Sequence, residues 1–268
     1  MTKNYICCMD KSTNPIGLFD SGIGGTSIWK EIHRLLPNED TVYLADSKNA
    51  PYGPRSKDEI IDLSFKNTDY LLSKGSKIIV VACNTATTNA IEELRANYDV
   101  PFIGIEPAIK PAAIHTKTNA IGILATQGTL SSELFNKTVA GFTNVNVIEQ
   151  VGTGLVTLIE NGQLESDEMH ELLEKYLHPM IEANIDYLVL GCSHYPYLVP
   201  QIRKIVPEHL TIIDSGEAVA RQTKKILQKY GLLNTKEHNA FQEFYTNADP
   251  AVLQTIIGNG YSAVKTDF

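Results

Sequence analysis

Two cysteines at matching places are where this chain most clearly offers chemistry. Cys83 closes the apolar run KIIVVAC and is followed by Asn84 and Thr85; Cys192 closes YLVLGC and is followed by Ser193 and His194. A cysteine ending an apolar strand is ordinarily a small core residue. Each of these, however, stands at a strand-to-helix turn, where a helix N-terminus stabilises thiolate. Each is also followed by hydrogen-bonding side chains that a core position does not need. Two opposed thiols could join in a disulfide, or ligate zinc with His194 and Asp20, although these ligands lack the paired spacing of zinc sites. The third option is acid–base work. A thiol of ordinary pKa about 8.5 can be tuned toward neutrality, so a thiolate could take a proton from a carbon acid while its partner thiol delivers one to the opposite face. That inverts a stereocentre.

Further candidates lie at the ends of other apolar runs. The segment DSGIGG (20–25) follows a strand and opens a helix, but a dinucleotide fingerprint would need glycine at 27, where Ser27 stands, and there is no Walker lysine. Its small residues suit a tight turn. Its amides and the helix dipole could also receive a substrate carboxylate, with Asp20 and Ser21 beside it. Asp20 could orient an ammonium group or assist the nearer thiol. Pro51, Tyr52, Gly53 and Pro54 form a stiff turn after Asp46, suited to holding backbone groups still over a small ligand. His194, two residues from Cys192, is a candidate proton partner. Glu106 and Glu217 read more simply as acids at helix N-termini, and Cys7 and Cys8 as bystanders in a polar extension.

The elements that must position these residues alternate regularly. Apolar runs at 16–20, 41–45, 77–82, 102–105, 120–125, 145–150, 187–190 and 211–214 are separated by helix-length segments. One helix, expected over 57–74, opens on a capping box, Ser56 with Glu59, and carries a stripe of Ile61, Phe65, Thr68 and Leu72. Short apolar strands alternating with helices predict an α/β fold with open parallel sheets covered on both faces. KIIVVACNT (77–85) lies over DYLVLGCSH (186–194) at an offset of 109 residues, and the run at 102–105 lies over 211–214 at the same offset. IGLFDSGIGGT (16–26) lies over IGILATQGTLS (121–131) at an offset of 105. Three ordered pairs argue for duplication into two pseudo-symmetric halves. The expected domains are 1–99 with 209–268, carrying Asp20 and Cys83, and 100–208, carrying Cys192 and His194. The C-terminal stretch, including 244–246 and a helix start at Asp249-Pro250, is expected to return to the first. Ligand sites in such sheets form beyond the carboxyl ends of the strands. That is where Asp20, Ser21, Asp46, Cys83, Asn84, Thr85, Thr126, Cys192, Ser193 and His194 fall.

Composition narrows the classes. The chain of 268 residues carries 23 Lys+Arg against 31 Asp+Glu, a net charge of −8, which argues against a main role in gripping nucleic acid or an anionic membrane. The longest apolar runs fall far short of the roughly 20 residues that span a bilayer, and the start MTKNYICCMDKSTN has no apolar leader pattern. Four cysteines without CxxC give no disulfide framework, so a reducing, cytoplasmic setting is expected.

Taken together, FDSGIGG (19–25), YLADSKNAPYG (43–53), VACNTAT (81–87), IGIEPA (103–108), IGILAT (121–126), LVTLIENG (155–162), LGCSHYP (190–196) and IDSG (213–216) resemble the cofactor-independent aspartate/glutamate racemase family, its glutamate racemases in particular. The matching stretches run in order over about 16–230. The resemblance implies two pseudo-symmetric α/β domains with the site between them, and proton transfer at the α-carbon of glutamate without pyridoxal phosphate, metal or nucleotide. It implies that Cys83 deprotonates D-glutamate with help from Asp20, and Cys192 L-glutamate with help from His194. Asp20, Ser21, Pro51, Tyr52, Gly53, Asn84, Thr85, Thr126, Ser193 and His194 match substrate contacts, and Glu160 a further acid near the site. It also implies a bacterial cytoplasmic enzyme, a homodimer, supplying D-glutamate for peptidoglycan. One residue departs: the family usually has threonine where this chain has Ser193, which keeps the hydroxyl and frees χ1. Aspartate racemases commonly carry glutamate where His194 stands, which sets them second. An amino-acid-binding module and a zinc protein are the alternatives from other classes.

Overall fold

The computed structural model describes residues 11–236 and 238–268; Cys7 and Cys8 lie outside them. Among the described residues ten strands form two sheets whose pairings are all parallel. They are β1 (Ile16–Asp20), β2 (Thr41–Ala45), β3 (Ile78–Val81), β4 (Phe102–Gly104), β5 (Ala120–Ala125), β6 (Asn146–Val151), β7 (Tyr187–Gly191), β8 (Thr211–Ile213), β9 (Gln242–Thr246) and β10 (Ala263–Lys265). The first sheet runs β10-β9-β2-β1-β3-β4 and the second β6-β5-β7-β8. Every residue of β1, β2 and β3 is buried, as strands sandwiched between helices must be.

The inner order of the first sheet, β2-β1-β3-β4, is repeated as β6-β5-β7-β8. This pairs β1 with β5, β3 with β7 and β4 with β8, the same equivalences that the sequence offsets require. The C-terminal return also holds: β9 pairs with β2 in the register Tyr43↔Phe244, and β10 pairs with β9. The expected boundaries need correction by one strand each. β4 pairs with β3 and so belongs to the first sheet, and β8 pairs with β7 and belongs to the second. Backbone pairing to the preceding parallel strand, not the loop before it, decides which sheet a strand joins.

The helix Lys57–Ser73 starts on the expected capping box, Ser56 with Glu59. Its buried stripe is shifted by a residue from the apolar pattern: Ile60, Ser64, Asn67, Thr68 and Leu71 face inward, while Ile61, Phe65 and Leu72 are half-buried. Hydrogen bonds make two of the polar members acceptable there: Ser64 Oγ donates to the Ile60 carbonyl and Asn67 Nδ2 to Tyr52 Oη, whereas the buried Thr68 hydroxyl packs without a partner. A single buried apolar cluster runs from Leu18, Ile28 and Trp29 of the first half through Ile159 to Leu188 and Leu198 of the second. Among the described residues no helix is long and apolar enough to cross a membrane.

Candidate active site

The carboxyl ends of β1, β3, β5 and β7 converge. Each is followed by a turn into helix or 3-10 helix, so the chain leaves the sheet at that point and its polar residues gather there. Cys83 is the N-cap of the helix Asn84–Asn97, and its Sγ accepts from the Ala86 amide at 3.4 Å. Thr126 caps the next short helix, Gln127–Leu130, in the same way.

One small cavity, of about 10 Å³, is lined by Ser21, Pro51, Tyr52, Gly53, Cys83, Asn84, Thr85, Thr126, Val156, Cys192, Ser193 and His194. Eleven of these twelve are residues singled out in the sequence; Val156, from the helix Leu155–Glu160, is the addition. The two thiols, 4% and 6% exposed, face this common space from equivalent strand ends. A wider hollow of about 210 Å³ adjoins the cavity and shares Pro51, Gly53, Thr126 and Val156 with it. Asn84 is 2% exposed, and both polar atoms of its side-chain amide lack a partner. A buried amide with no hydrogen bond costs about 1–3 kcal/mol, so this residue is poised for a ligand that has both a donor and an acceptor.

Asp20 and Glu160 stand behind the cavity wall. Asp20 Oδ2 accepts from the amides of Gly25 at 2.9 Å and Gly22 at 3.3 Å, and Oδ1 accepts from Ser193 Oγ at 3.1 Å. Glu160 Oε1 lies 2.6 Å from His194 Nε2 and accepts from the Ile23 amide at 2.7 Å, while Oε2 accepts from Ser47 Oγ at 2.7 Å. The 2.6 Å contact fixes one proton: Nε2–H faces Glu160, and the Gly24 amide, 3.3 Å from the same nitrogen, only abuts it. The glycine-rich turn therefore does not present these amides to a substrate carboxylate, as the sequence suggested. Its anions are the protein's own Asp20 and Glu160.

The same contacts explain two of the glycines. A Cβ at Gly22 would come 2.0 Å from Glu160 Oε1, and one at Gly24 would come 2.2 Å from His194 Nδ1. Glycine lets the second half press its acid and its imidazole onto the first half's backbone. Gly24→Ala is expected to drive the His194 ring away from Glu160 and to destabilise the fold by about 1–3 kcal/mol, read as a lower thermal midpoint.

Electrostatics follow from burial and these partners. Burial pushes the Cys83 thiol well up and the Asp20 carboxylate adds to that; the Ala86 amide and Ser21 hydroxyl offset only part. Burial also raises Asp20 above the ordinary carboxylate range, against the pull of His194 and the Gly25 amide. For His194 burial acts downward, but its contacts with Cys192, Glu160 and Asp20 outweigh it and hold the imidazole well above its ordinary value. Glu160 is the converse: burial acts upward, and hydrogen bonds from His194, Ser47 and the Ile23 amide hold it below the ordinary range. The second half thus carries a buried imidazolium–carboxylate pair directly behind Cys192. Among the described residues no three His, Cys, Asp or Glu side chains are grouped as metal ligands.

A buried network holds the turn that roofs the cavity. Tyr52 Oη donates to Asp46 Oδ2 and accepts from Asn67 Nδ2; Asp46 Oδ1 accepts from Asn49 and from Asn247, and Asn247 Oδ1 accepts from the Lys48 amide at 2.9 Å. Asn247 follows β9, so the returning C-terminal segment clamps the roof. Nothing in the sequence marked Asn247, Asn67 or Ser47, because their partners are remote in the chain.

Fold and site together define a class: duplicated α/β enzymes whose active site lies where the strand ends of two halves meet. Residues 16–223 match the family described as Asp/Glu/Hydantoin racemase. A glutamate racemase of Herpetosiphon aurantiacus is 44% identical over 238 residues, 88% of this chain and 94% of that protein. The structure of glutamate racemase isoform RacE1 from Bacillus anthracis superposes with a TM-score of 0.84 at 32% identity, covering 96% of this chain and 98% of the other. Escherichia coli glutamate racemase, solved with L-glutamate and the activator UDP-MurNAc-ala, gives a TM-score of 0.81 at 30% identity, covering 94% and 98%. The chain belongs to the Asp/Glu/Hydantoin racemase family. It is an isomerase, a racemase.

Proposed function

We propose that this racemase interconverts L- and D-glutamate by two-base proton transfer between Cys83 and Cys192, supplying D-glutamate for peptidoglycan in the bacterial cytoplasm, as a homodimer. The observation that carries the mechanism is the pair of thiols facing one cavity from equivalent strand ends. In the direction from L to D, a Cys192 thiolate takes the α-proton and the C–H electron pair stays on carbon. Cys83 S–H then gives its proton to the opposite face. Asp20 serves the Cys83 side and His194 the Cys192 side. Asn84, with its unpartnered amide, Thr85, Thr126, Ser21 and the Tyr52-Gly53 backbone receive the substrate's polar groups. An arriving ammonium group brings positive charge beside Cys83, which offsets the burial that otherwise keeps its proton in place. The acceptance of glutamate rests on the relatives, whose names are those of glutamate racemases. Aspartate is the second candidate.

Circular dichroism of L-glutamate and L-aspartate incubated with the enzyme separates the two, and in D₂O the product carries deuterium at Cα. Glutamate unchanged in optical activity, with aspartate racemised, would overturn the substrate; binding without Cα exchange would overturn the enzyme.

The roof clamp gives a second expectation. Asn247→Ala leaves an Asp46 oxygen and the Lys48 amide short of a partner, a cost of about 1–3 kcal/mol. It loosens the Tyr52-Gly53 turn without touching either thiol. The KM for glutamate should rise more than kcat falls, measured by initial rates in both directions.

A further inference from the structure

This inference rests on the two-thiol reading above. A turnover from L- to D-glutamate ends with the α-proton on Cys192 and with Cys83 deprotonated. Before the same enzyme can take another L-glutamate, a proton must travel from Cys192 back to Cys83. Both thiols are buried, Asp20 and His194 are 0% and 1% exposed, and Ser193 is 3% exposed, so a path through the protein can compete with exchange through water.

The structure contains a polar path along most of that way. Cys192 Sγ lies 3.8 Å from His194 Nδ1, and Nδ1 lies 3.4 Å from Ser193 Oγ. Ser193 Oγ lies 3.1 Å from Asp20 Oδ1 and donates to it. Asp20 ends β1 beside β3, and its carboxylate is near enough for its charge to act on the Cys83 thiol. Donor directions agree along the path. Nε2–H is committed to Glu160, so the other ring proton, on Nδ1, faces the Ser193 lone pairs. The serine's own proton points to Asp20, whose other oxygen is already taken by the Gly22 and Gly25 amides. Directly, His194 Nδ1 and Asp20 Oδ2 are 3.8 Å apart, too far for one hop, and the serine hydroxyl fills the gap. A hydrogen bond from Ser27 Oγ to the Ser193 carbonyl, 2.9 Å, pins that backbone to the first half.

We infer that Ser193 is a relay residue, which returns the proton between the two thiols inside the free enzyme by way of His194 and Asp20. His194 Nδ1 passes its proton to Ser193 Oγ as the serine proton passes to Asp20 Oδ1. Asp20 delivers a proton to the Cys83 thiolate, and the Cys192 S–H bond breaks to refill Nδ1. The net change is one proton moved from sulfur to sulfur, with imidazolium, hydroxyl and carboxylate restored and no electrons exchanged.

The test is a tracer perturbation, which reads the return step separately from binding and chemistry. Labelled glutamate is first brought to equal amounts of both isomers, and a large excess of unlabelled L-glutamate is then added. An enzyme left waiting in its D-binding form carries labelled D back to L, so slow return displaces the label transiently from D into L. In wild type the label should stay balanced. In Ser193→Ala return should slow by about 10²-fold or more, as for loss of a positioned proton-transfer group, and the label should move. Small amine buffers should restore the balance. Ser193→Thr should behave as wild type and Ser193→Val, its near-isostere without the hydroxyl, as Ala; this pair serves if the alanine variant does not fold. The same label trace in wild type and in the variants lacking the hydroxyl would overturn the relay, whatever their kcat and KM. Failure of the two-thiol reading looks different: Cys83→Ser would then racemise glutamate at the wild-type rate.

Discussion

Serine in place of Cys83 or Cys192 is expected to lower glutamate racemisation by about 10²–10⁴-fold, the range for loss of a positioned acid or base. The substitution keeps shape and a hydrogen-bonding atom, but a hydroxyl gives up its proton far less readily than a thiol. Cys83 Sγ lies 3.7 Å from Ser21 Oγ and accepts from the Ala86 amide, and an oxygen can keep both partners. The fold should therefore survive, with far-ultraviolet circular dichroism unchanged. The two variants should also differ in a way that mere damage to the site would not produce. In D₂O, Cys192→Ser retains Cys83 and should wash deuterium into the α-position of D-glutamate while leaving L-glutamate unlabelled. Cys83→Ser should do the reverse. Equal labelling of both isomers by either variant would mean that one base serves both faces.

The asymmetry between the halves is informative about what duplication preserved. Cys83 and Cys192 occupy equivalent ends of β3 and β7, and Ser21 and Thr126 equivalent ends of β1 and β5. Their acid–base neighbours are not equivalent. At the offset of the β1 and β5 repeat, Asp20 has Ala125 as its counterpart, and at the β3 and β7 offset His194 has Thr85. In the proposed mechanism each thiol is served by a different group, and the first half's glycine turn gathers both: Asp20 through Gly22 and Gly25, His194 through the space at Gly24.

How much of this was legible in the sequence depends on the range of the interaction involved. The inner strands β1, β2, β3, β5 and β7 were legible because strands buried on both faces are continuously apolar, the partly exposed β6 and β8 because they recur at the repeat's spacing, and the duplication because equivalent units repeat their polar endings. The lining of the cavity was legible for the same reason: strand-end residues such as Asn84, Thr126 and Ser193 follow apolar runs immediately. The roof clamp was not. Asn247 meets Asp46 and Lys48 about two hundred positions away, and no local pattern announces such a pairing. The inward face of the helix Lys57–Ser73 was misplaced by a residue because Ser64 and Asn67 are buried through hydrogen bonds, which an apolar count cannot see. The glycine turn was misread because its amides bind carboxylates of this chain, one of them on Glu160 in the other half.

Glu160→Gln is the variant expected to disturb the site most without touching a thiol. Glu160 and His194 form a buried pair, 12% and 1% exposed at the side chain, and removing one charge of such a pair typically costs about 3–5 kcal/mol. The pH dependence has a definite sign. His194 is held above its ordinary 6.5, so its contribution is complete below that value and is lost as pH rises through the raised folded value. Glu160 is held below its ordinary 4.5, so its contribution is present above that value and is lost as pH falls through the depressed folded value. The difference in thermal midpoint between wild type and Glu160→Gln should therefore be greatest between the ordinary values of 4.5 and 6.5, and should shrink toward both extremes. Asp20, facing the same imidazole at 3.8 Å, remains in the variant and keeps part of the charge balance. The His194 imidazole should nevertheless titrate lower, as expected on loss of an adjacent opposite charge. With an imidazolium less readily held behind Cys192, the alkaline limb of kcat should move to lower pH by a similar amount. A histidine titration unmoved by Glu160→Gln, followed by NMR, would mean that Cys192 and Asp20, not Glu160, hold the imidazolium in place.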